Sequence, residues 1–391
     1  MKLIKNISVL LPALAFVHSV TVNQYFVIFG TKISDIGNSV NSSSTAKWFG
    51  RFSNGPVWNE YTSYYNNYTL MNQAISDSYV DNTIFNNFKV TPNTTPSIID
   101  QISSFTTAFK TLFNVNAIRN DIAVIQLSLN DLSLYSTLSI QTGTTDDSFT
   151  DKLVARVYKA VEMVRDLGYK KIIVTDIPEI KYLPIYRSTP ANVSKMIQDL
   201  TVECNKKLFT AISNFSIRNK NQVTWVKTFS FDAIFQMSVD PTIPQLLGIT
   251  NTATACIQTI NNVTSTPCSN SNAYFFNDET SVNTRVHALA GAIMAELINN
   301  SSINYSTQTI IPLIGKYNIT TITTTNSFMF PNGIQQNGVL NISEFTFNQA
   351  LNNEVSITNL KNSLGNNSKI CLLSILLSIV VGSILLNAIA I

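Results

Sequence analysis

Short apolar runs alternate with longer stretches of helical periodicity through the middle of the chain. Runs rich in β-branched and aromatic residues predict strands at Tyr25–Phe29, Ile122–Leu127 and Lys171–Thr175. Apolar positions spaced three or four residues apart predict amphipathic helices at Phe149–Leu167 and Val193–Phe215. Because strands and helices alternate, the pattern indicates an α/β fold in which helices cover both faces of a parallel sheet.

The carboxyl ends of the predicted strands mark where a ligand is expected to bind. In an open parallel sheet, ligands bind in the crevice beyond those ends, which here means the loops after Phe29, Leu127 and Thr175. A last helix at Thr284–Leu297 is predicted to close this domain, which we place at residues 20–299.

The composition changes beyond Asn299. The stretches NNSSINYSTQT and NITTITTTNS are polar, β-prone and poor in charge. We therefore expect residues 300–369 to form a polar stalk or a small β-rich appendage.

The first nineteen residues have the order of features of a secretory signal peptide. Lys2 and Lys5 precede the apolar run Ile7–Val17, and small residues follow, so residues 1–19 are expected to be removed. Removal takes two lysines from the formal charge of +3 and leaves about +1. Since no broad basic field remains, nucleic acid is not expected as a partner.

The stretch Ile370–Ile391 is uncharged and apolar, and its twenty-two residues could cross roughly 30 Å of hydrocarbon as a helix. We expect it to anchor the protein on the extracellular face of the cell membrane. Because no basic residue follows Lys369, a glycolipid (GPI) attachment signal is favoured over a retained single-pass helix. The candidate attachment points are Ser363, Gly365, Asn366, Asn367 and Ser368.

The cysteines indicate one disulfide bond. In an oxidising compartment Cys256 and Cys268 are the natural pair, and closing a loop of this length contributes about 3 kcal/mol. Cys371 belongs to the C-terminal apolar stretch, which leaves Cys204 free and expected to be buried on a helix. The spacings match no zinc site and the chain has two histidines, so we expect neither a metal nor another cofactor.

Sequons such as those at Asn67, Asn93, Asn192 and Asn262 permit N-glycosylation in a secreted chain. They do not argue for it, because a chain this rich in asparagine, serine and threonine contains many sequons by chance.

Six segments in order resemble the sequence blocks of the SGNH or GDSL family of esterases and lipases, over about residues 25–295. The first is similar to the block FGDSLSDTGN, in which the serine is the nucleophile, and the last is similar to F-W-D-x-x-H-P-T. The segments are FVIFGTKISDIGNS (26–39), GRFSNGPVWNEY (50–61), LMNQAISDSYVDN (70–82), VIQLSLNDL (124–132), VTDIPEIKYLP (174–184) and FFNDETSVNT (275–284).

The resemblance implies a flavodoxin-like, three-layer α/β/α sandwich and an ester-hydrolysing mechanism. That mechanism needs a serine nucleophile, a histidine base, an aspartate that orients the histidine, and donors that hold the oxyanion. In this sequence Lys32 stands at the serine position, Asp77 at the oxyanion glycine and Ser281 at the histidine. Asn130 and Asp278 match the family's asparagine donor and orienting aspartate.

His287 is the one imidazole expected in the mature protein, because His18 lies in the signal peptide. It falls six residues beyond Ser281 in a helix-prone run, and a step of six residues turns about 600°, so the two residues do not share a helix face. We interpret His287 as a helix residue packed near the sheet. Without a base whose pKa lies near 7, a hydroxyl is a poor nucleophile at neutral pH.

Lys32 offers two interpretations. It could act as a base for Thr31 or Ser34, but nearby carboxylates would stabilise its charged form and oppose that role. The favoured hypothesis is structural: an ion pair of Lys32 with Asp278 or Asp77 that fills the former active site.

The sequence therefore predicts a cell-surface relative of GDSL esterases that lacks hydrolytic activity and serves as a binding or surface-coat module. Its residual cleft could hold an acyl-ester or carbohydrate ligand. The alternatives are an active carbohydrate esterase or lipase that uses other residues, and a purely structural coat protein.

Overall fold

A computed structural model describes residues 24–39, 48–88, 94–109, 118–260, 263–264 and 268–346. The strands are β1 (Tyr25–Phe29), β2 (Thr69–Asn72), β3 (Ile122–Ile125), β4 (Lys171–Thr175), β5 (Trp225–Phe229), β6 (Asn251–Ala255), β7 (Thr259–Ile260), β8 (Val263–Thr264), β9 (Tyr274–Phe276) and β10 (Glu344–Thr346). The α-helices are α1 (Trp58–Asn66), α2 (Ile98–Phe109), α3 (Asn130–Thr142), α4 (Phe149–Asp166), α5 (Ala191–Arg218), α6 (Phe231–Gln236), α7 (Thr242–Leu246), α8 (Thr284–Asn299) and α9 (Thr307–Lys316).

The central sheet has six strands in the order β10-β2-β1-β3-β4-β5, and every neighbouring pair is parallel. Strand β1 is apolar at every position because both of its faces are covered. Phe26 and Ile28 belong to a core cluster shared with α1, α8 and α9. Val27 and Phe29 belong to a second cluster shared with α2, α4 and α5. The predicted three-layer α/β/α fold is confirmed.

Helices α1 and α8 pack closely on the first face of the sheet. At Gly291 of α8, a Cβ atom would lie 2.6 Å from the Cβ of Tyr61 in α1. Glycine is therefore required at this crossing, and it lets α8 place the residues around His287 directly against α1.

The elements predicted from apolar periodicity agree with the structure at their cores. Two of the predicted strands match β1 and β4, and the third is two residues longer than β3. The disulfide bond between Cys256 and Cys268 is confirmed, and Cys204 is free and buried on α5. The sequons at Asn67 and Asn192 lie on exposed residues.

The expected stalk is wrong for residues 300–346, which belong to the sheet domain. Helix α9 buries Ile310, Leu313 and Ile314 in the first core cluster, and Phe330 joins them. Strand β10 then adds to the sheet edge beside β2. The segment is polar overall, and the apolar residues that cover the core are spaced widely along it. Its composition therefore did not predict that it packs on the sheet.

The remaining expectations about the two ends fall on residues 1–23 and 347–391, outside the described residues; the sequons at Asn93 and Asn262 also lie outside them. None of the helices in the described part of the chain is long and apolar enough to span a membrane.

One arginine between two glutamates fixes the edge strand β10. Arg51 contacts Glu60 of α1 and, at 2.8 Å, Glu344 of β10, and all but 7% of its side chain is buried. Burial raises the pKa of Glu344, the Glu60 carboxylate raises it further, and Arg51 opposes both. The folded protein therefore favours a proton on Glu344 where an unfolded chain would release it.

This imbalance predicts how stability depends on pH. Between the ordinary pKa of a glutamate, about 4.3, and the raised pKa of Glu344, the folded state binds more protons than the unfolded state. The free energy of unfolding should therefore fall as the pH rises through this window. Glu344→Gln removes this titration, so the difference in free energy of unfolding between the wild type and the variant should shrink as the pH rises. Urea unfolding of both proteins at pH 4.5 and 8 would measure it.

Glu203→Gln is the control, because contact with Lys207 lowers the pKa of Glu203. The advantage of the wild type over this variant should therefore grow, not shrink, as the pH rises. Parallel stability curves for the wild type and Glu344→Gln would contradict the expected titration.

Asp77 adopts the left-handed conformation, with φ of 64°. The family resemblance aligns this position with a glycine, and a left-handed backbone is what glycine adopts at no cost. Aspartate is among the few other residues that tolerate it. The turn has therefore kept its backbone shape although the residue differs.

We predict that Asp77→Gly is more stable than Asp77→Ala by about 1 kcal/mol, since both remove the same side chain and only alanine strains the backbone. Urea unfolding would measure the difference. Asp147 is also exposed but does not have a positive φ, so Asp147→Ala should be at least as stable as Asp147→Gly. Equal stability of the two variants at position 77 would contradict the turn geometry.

Candidate functional site

A cavity of about 400 Å³ opens at the carboxyl end of the sheet, where the loops after β1, β3 and β4 meet. These are the loops in which the sequence predicted ligand binding. Its polar lining includes Lys32, Asp77, Asn130 and Thr280. The structure thus brings together residues from four separate segments of the chain.

A larger cavity of about 520 Å³ lies beside β5 and α5, away from these residues. Its ionisable side chains already serve the fold. Asp176 accepts hydrogen bonds from the Ser230 hydroxyl and the Asp232 backbone N–H. Lys227 donates to backbone carbonyls at the end of α8, including that of Leu297. The smaller cavity is therefore the better candidate for a functional site.

Lys32 forms an ion pair in this cavity. Its Nζ lies 3.0 Å from Oδ2 of Asp278 and donates to Oγ1 of Thr280 at 2.7 Å. Burial alone would raise the pKa of Asp278, but the Lys32 ammonium and the Thr280 backbone N–H hold it below its ordinary value. The hypothesised partner is thus Asp278, and Thr280 is a contact that sequence reasoning missed.

The hydroxyl groups next to Lys32 in sequence are held by the fold. Thr31 and Ser34 are buried, and both hydroxyls donate to Oε1 of Gln126, at 3.3 and 2.9 Å. The indole N–H of Trp58 donates to the Ser34 hydroxyl at 3.0 Å. A Cβ atom at Gly30 would lie 2.8 Å from the same Gln126 oxygen, so this turn also needs glycine. Sequence reasoning missed Gln126, because only the tertiary fold places it under the turn.

The turn around Asp77 is fastened to both neighbouring loops. Asp35 accepts a hydrogen bond from the Ser76 backbone N–H at 2.9 Å, and the Asn130 side chain donates to the Ser78 carbonyl at 3.0 Å. One Asn130 N–H is therefore used by the fold, and the amide has a second. Asp77 and Asn130 face one cavity, as their family positions imply.

Ser281 and His287 are not among the residues that line the cavity. Ser281 is fully buried in the turn after β9, where its carbonyl accepts the Asn277 N–H. His287 is buried on α8, and its Nδ1 accepts the Trp58 backbone N–H at 3.3 Å. Burial lowers the pKa of His287 to about 3, which the charge of Asp278 opposes only in part. The imidazole is therefore neutral at physiological pH.

The far wall of the cavity is apolar. It is formed by the loop after β3, the loop after β4 and the start of α5, with side chains of Leu127, Ile180, Leu183, Ile185, Val193 and Ile197. A chain of methylene groups would lose its contact with water against this wall. The cavity thus combines an apolar side with a rim of hydrogen-bonding groups, the arrangement typical of small-ligand sites.

Within the described residues, no cluster of three or more His, Cys, Asp or Glu side chains could hold a metal ion.

One family profile, a hemolysin and two esterases are similar to this chain. The profile of the GDSL-like lipase/acylhydrolase family matches residues 26–234. The thermolabile hemolysin of Vibrio parahaemolyticus serotype O3:K6 (strain RIMD 2210633) is 24% identical over 293 residues, which are 70% of this chain and 63% of the hemolysin. This chain therefore matches less than two thirds of that relative.

Two solved structures give weaker matches. An active-site mutant of a family two carbohydrate esterase from Clostridium thermocellum has a TM-score of 0.37 and 12% identity, over 71% of this chain and 63% of that one. The acetyl xylan esterase Est2A from the rumen bacterium Butyrivibrio proteoclasticus has a TM-score of 0.36 and 10% identity, over 71% and 64%.

The family profile covers more than half of the sequence, including strands β1 to β5 of the sheet, and this chain therefore belongs to the GDSL-like lipase/acylhydrolase family.

Proposed function

We propose that this protein is a membrane-anchored cell-surface module that binds an ester-type ligand in its cleft without hydrolysing it. The observation that carries the proposal is the ion pair of Lys32 with Asp278 at the end of β1. In the family mechanism this is the place of the attacking serine and of the aspartate that orients its base.

The groups around this ion pair support the proposal that the protein does not hydrolyse esters. The hydroxyls of Thr31 and Ser34 are directed at Gln126 inside the fold. The imidazole of His287 contacts the backbone of α1, and its low pKa makes it a weak base. A general base near neutrality, placed beside an exposed hydroxyl, is what ester hydrolysis of this type requires.

The cleft keeps the features that binding needs. The apolar wall suits the acyl part of an ester, and Lys32, Asn130 and Thr280 supply hydrogen-bonding groups for its polar part, or for a carbohydrate. Lys32 and Asp278 neutralise each other, which favours an uncharged polar group.

The two ends of the sequence support the cell-surface location. Residues 1–19 have the pattern of a secretory signal, and residues 370–391 that of a membrane anchor or GPI signal. The exposed sequons at Asn67 and Asn192 are compatible with glycosylation on the way to the surface.

The first test compares binding with turnover. The purified protein should not react with a fluorophosphonate probe and should not hydrolyse 4-nitrophenyl acetate above background. A long-chain alkyl ketone, used as an ester that cannot be cleaved, should raise the melting temperature, since a ligand at 100 times its Kd adds about 2.7 kcal/mol to stability. Val193→Trp, which narrows the apolar part of the cavity, should weaken this effect, whereas Val202→Trp on the exposed outer side of α5 should not.

Probe labelling together with ester turnover would contradict the proposal. If the probe does not label the protein and the ketone does not stabilise it, the proposed lack of hydrolysis would stand and the proposed binding role would be excluded.

A second candidate function, ester hydrolysis by other residues, is favoured by one contact. The Thr280 hydroxyl lies 2.7 Å from Nζ of Lys32 and 3.2 Å from Oδ1 of Asp278. A hydroxyl next to a lysine occurs in hydrolases of the serine–lysine type. It ranks second because Lys32 is held in an ion pair with Asp278, and a lysine in an ion pair is poorly placed to accept a proton.

This candidate predicts a specific loss. If the protein hydrolyses 4-nitrophenyl acetate, Thr280→Val should lower kcat at least about 100-fold, as removal of a nucleophile does. Ser34→Ala should retain activity, because the Ser34 hydroxyl is bound to Gln126. Equal activity of Thr280→Val and the wild type would exclude Thr280 as the nucleophile.

A further inference from the structure

Three large apolar side chains are exposed near the edge of the sheet that carries β10. Phe49, Ile334 and Val339 are 47%, 63% and 55% exposed, and we call them the Phe49 patch. The Phe49 ring lies directly on Gly338, where an added Cβ would be 2.7 Å from its Cγ. The turn that closes at Val339 begins two residues after Ile334. The Phe49 ring is therefore in contact with the segment that carries Ile334 and Val339.

The base of the patch is held firmly. Phe49 has a left-handed backbone with φ of 47°, an uncommon conformation for an aromatic residue. Its ring contacts Trp48 edge to face, with 5.1 Å between centroids, and Trp48 packs on the buried Phe330. The Phe49 carbonyl accepts a hydrogen bond from Arg51 at 3.0 Å, and Arg51 is fixed by its two glutamates. The fold thus keeps an aromatic ring directed outwards against an unfavourable backbone geometry.

One segment of the patch carries no charge along the chain, and Lys47, two residues before Phe49, lies outside the described residues. No lysine, arginine, aspartate or glutamate occurs in residues 317–343, the segment that carries Ile334 and Val339, and the charge of Arg51 is balanced by Glu60, because Glu344 favours its protonated form. Such a surface gives up little electrostatic hydration when it leaves water. It fits an uncharged or zwitterionic partner better than an acidic or basic one.

The patch is also close in sequence to the proposed anchor. Val339 lies seven residues before Thr346, the last described residue, and Ile370–Ile391 begins 24 residues beyond Thr346. Another set of exposed apolar residues, Val202, Phe209 and Ile217, lies on α5, which packs on β5 at the opposite edge of the sheet. Among the large exposed apolar residues of the described part of the chain, Ile334 and Val339 are the nearest in sequence to the expected anchor.

We propose that the Phe49 patch is the face that lies on the membrane, with its three side chains in the interface of a zwitterionic lipid bilayer. The proposal rests on the anchoring part of the proposed function. Aromatic and aliphatic side chains at the tips of loops gain free energy when they leave water for the boundary between headgroups and acyl chains. Contact through this patch would set the orientation of the domain on the surface.

The test uses the full chain reconstituted in phosphatidylcholine vesicles with or without brominated acyl chains, which quench tryptophan fluorescence on contact. Val339→Trp places a reporter in the patch, and Val202→Trp places a matched reporter on α5, at 55% and 52% exposure of the native valines. The emission of each variant in excess of the wild type is compared, because Trp48, Trp58 and Trp225 contribute background. Ile334→Trp is a second patch reporter in case Val339→Trp unfolds.

We expect bromolipid to quench the excess emission of Val339→Trp by about half, because an interfacial side chain lies ~5–10 Å deep. The excess emission of Val202→Trp should not change. The protein could co-sediment with the vesicles although neither patch reporter is quenched, or although the reporter at position 202 is quenched equally. Either result would overturn the proposed membrane face and leave the anchoring intact. Failure of the full chain to co-sediment at all would overturn the anchoring and this proposal together.

Discussion

The contact between Lys32 and Asp278 decides what the cleft can do. It joins the turn after β1 to the turn after β9, and Thr280 completes it with a hydrogen bond to the same ammonium. A partly buried ion pair has to offset the loss of hydration of both charges, and it does so only when hydrogen bonds satisfy the remaining groups. Here the Thr280 backbone N–H also binds the carboxylate, at 2.9 Å. Under the proposed function, this contact keeps the two loops ordered for binding a ligand.

The rest of the site is organised around keeping these loops in place. Gln126 holds the hydroxyls of the first loop, Asp35 holds the turn before Asp77, and Asn130 holds the carbonyl after it. A family whose members hydrolyse esters needs this rigidity to stabilise a transition state. The same rigidity also serves a binding site, because a preformed cleft spends less free energy on ordering itself around a ligand. A rigid scaffold of this kind therefore suits binding as well as catalysis.

Much of the fold could be predicted from the sequence because the buried elements have unambiguous patterns. Strand β1 is apolar throughout, and helix α4 repeats its apolar residues on one face. Strand β5, with the sequence WVKTF, was missed because it is an edge strand that is only partly buried. Strand β10 has three residues in a polar segment, and nothing in its own sequence reveals that β2 is its neighbour.

The candidate site could be predicted in part for the same reason. Motif positions placed Lys32, Asp77, Asn130 and Asp278 near one another, since each follows a strand or begins a helix of a recognisable block. The contacts that define the site depend on tertiary structure. Thr280 and Gln126 have ordinary local sequences, and only the assembled fold brings one to Lys32 and the other beneath Ser34.

The position of β10 has a consequence for how the protein is made. Its partner β2 lies near the start of the domain, so the edge of the sheet stays uncovered until almost the whole domain has been synthesised. Pairing between segments so distant in sequence is slow, because a long loop must close first. During synthesis the nascent chain would thus expose a strand edge that attracts other extended chains. Chaperones in the compartment of synthesis would have to shield that edge until Glu344 meets Arg51.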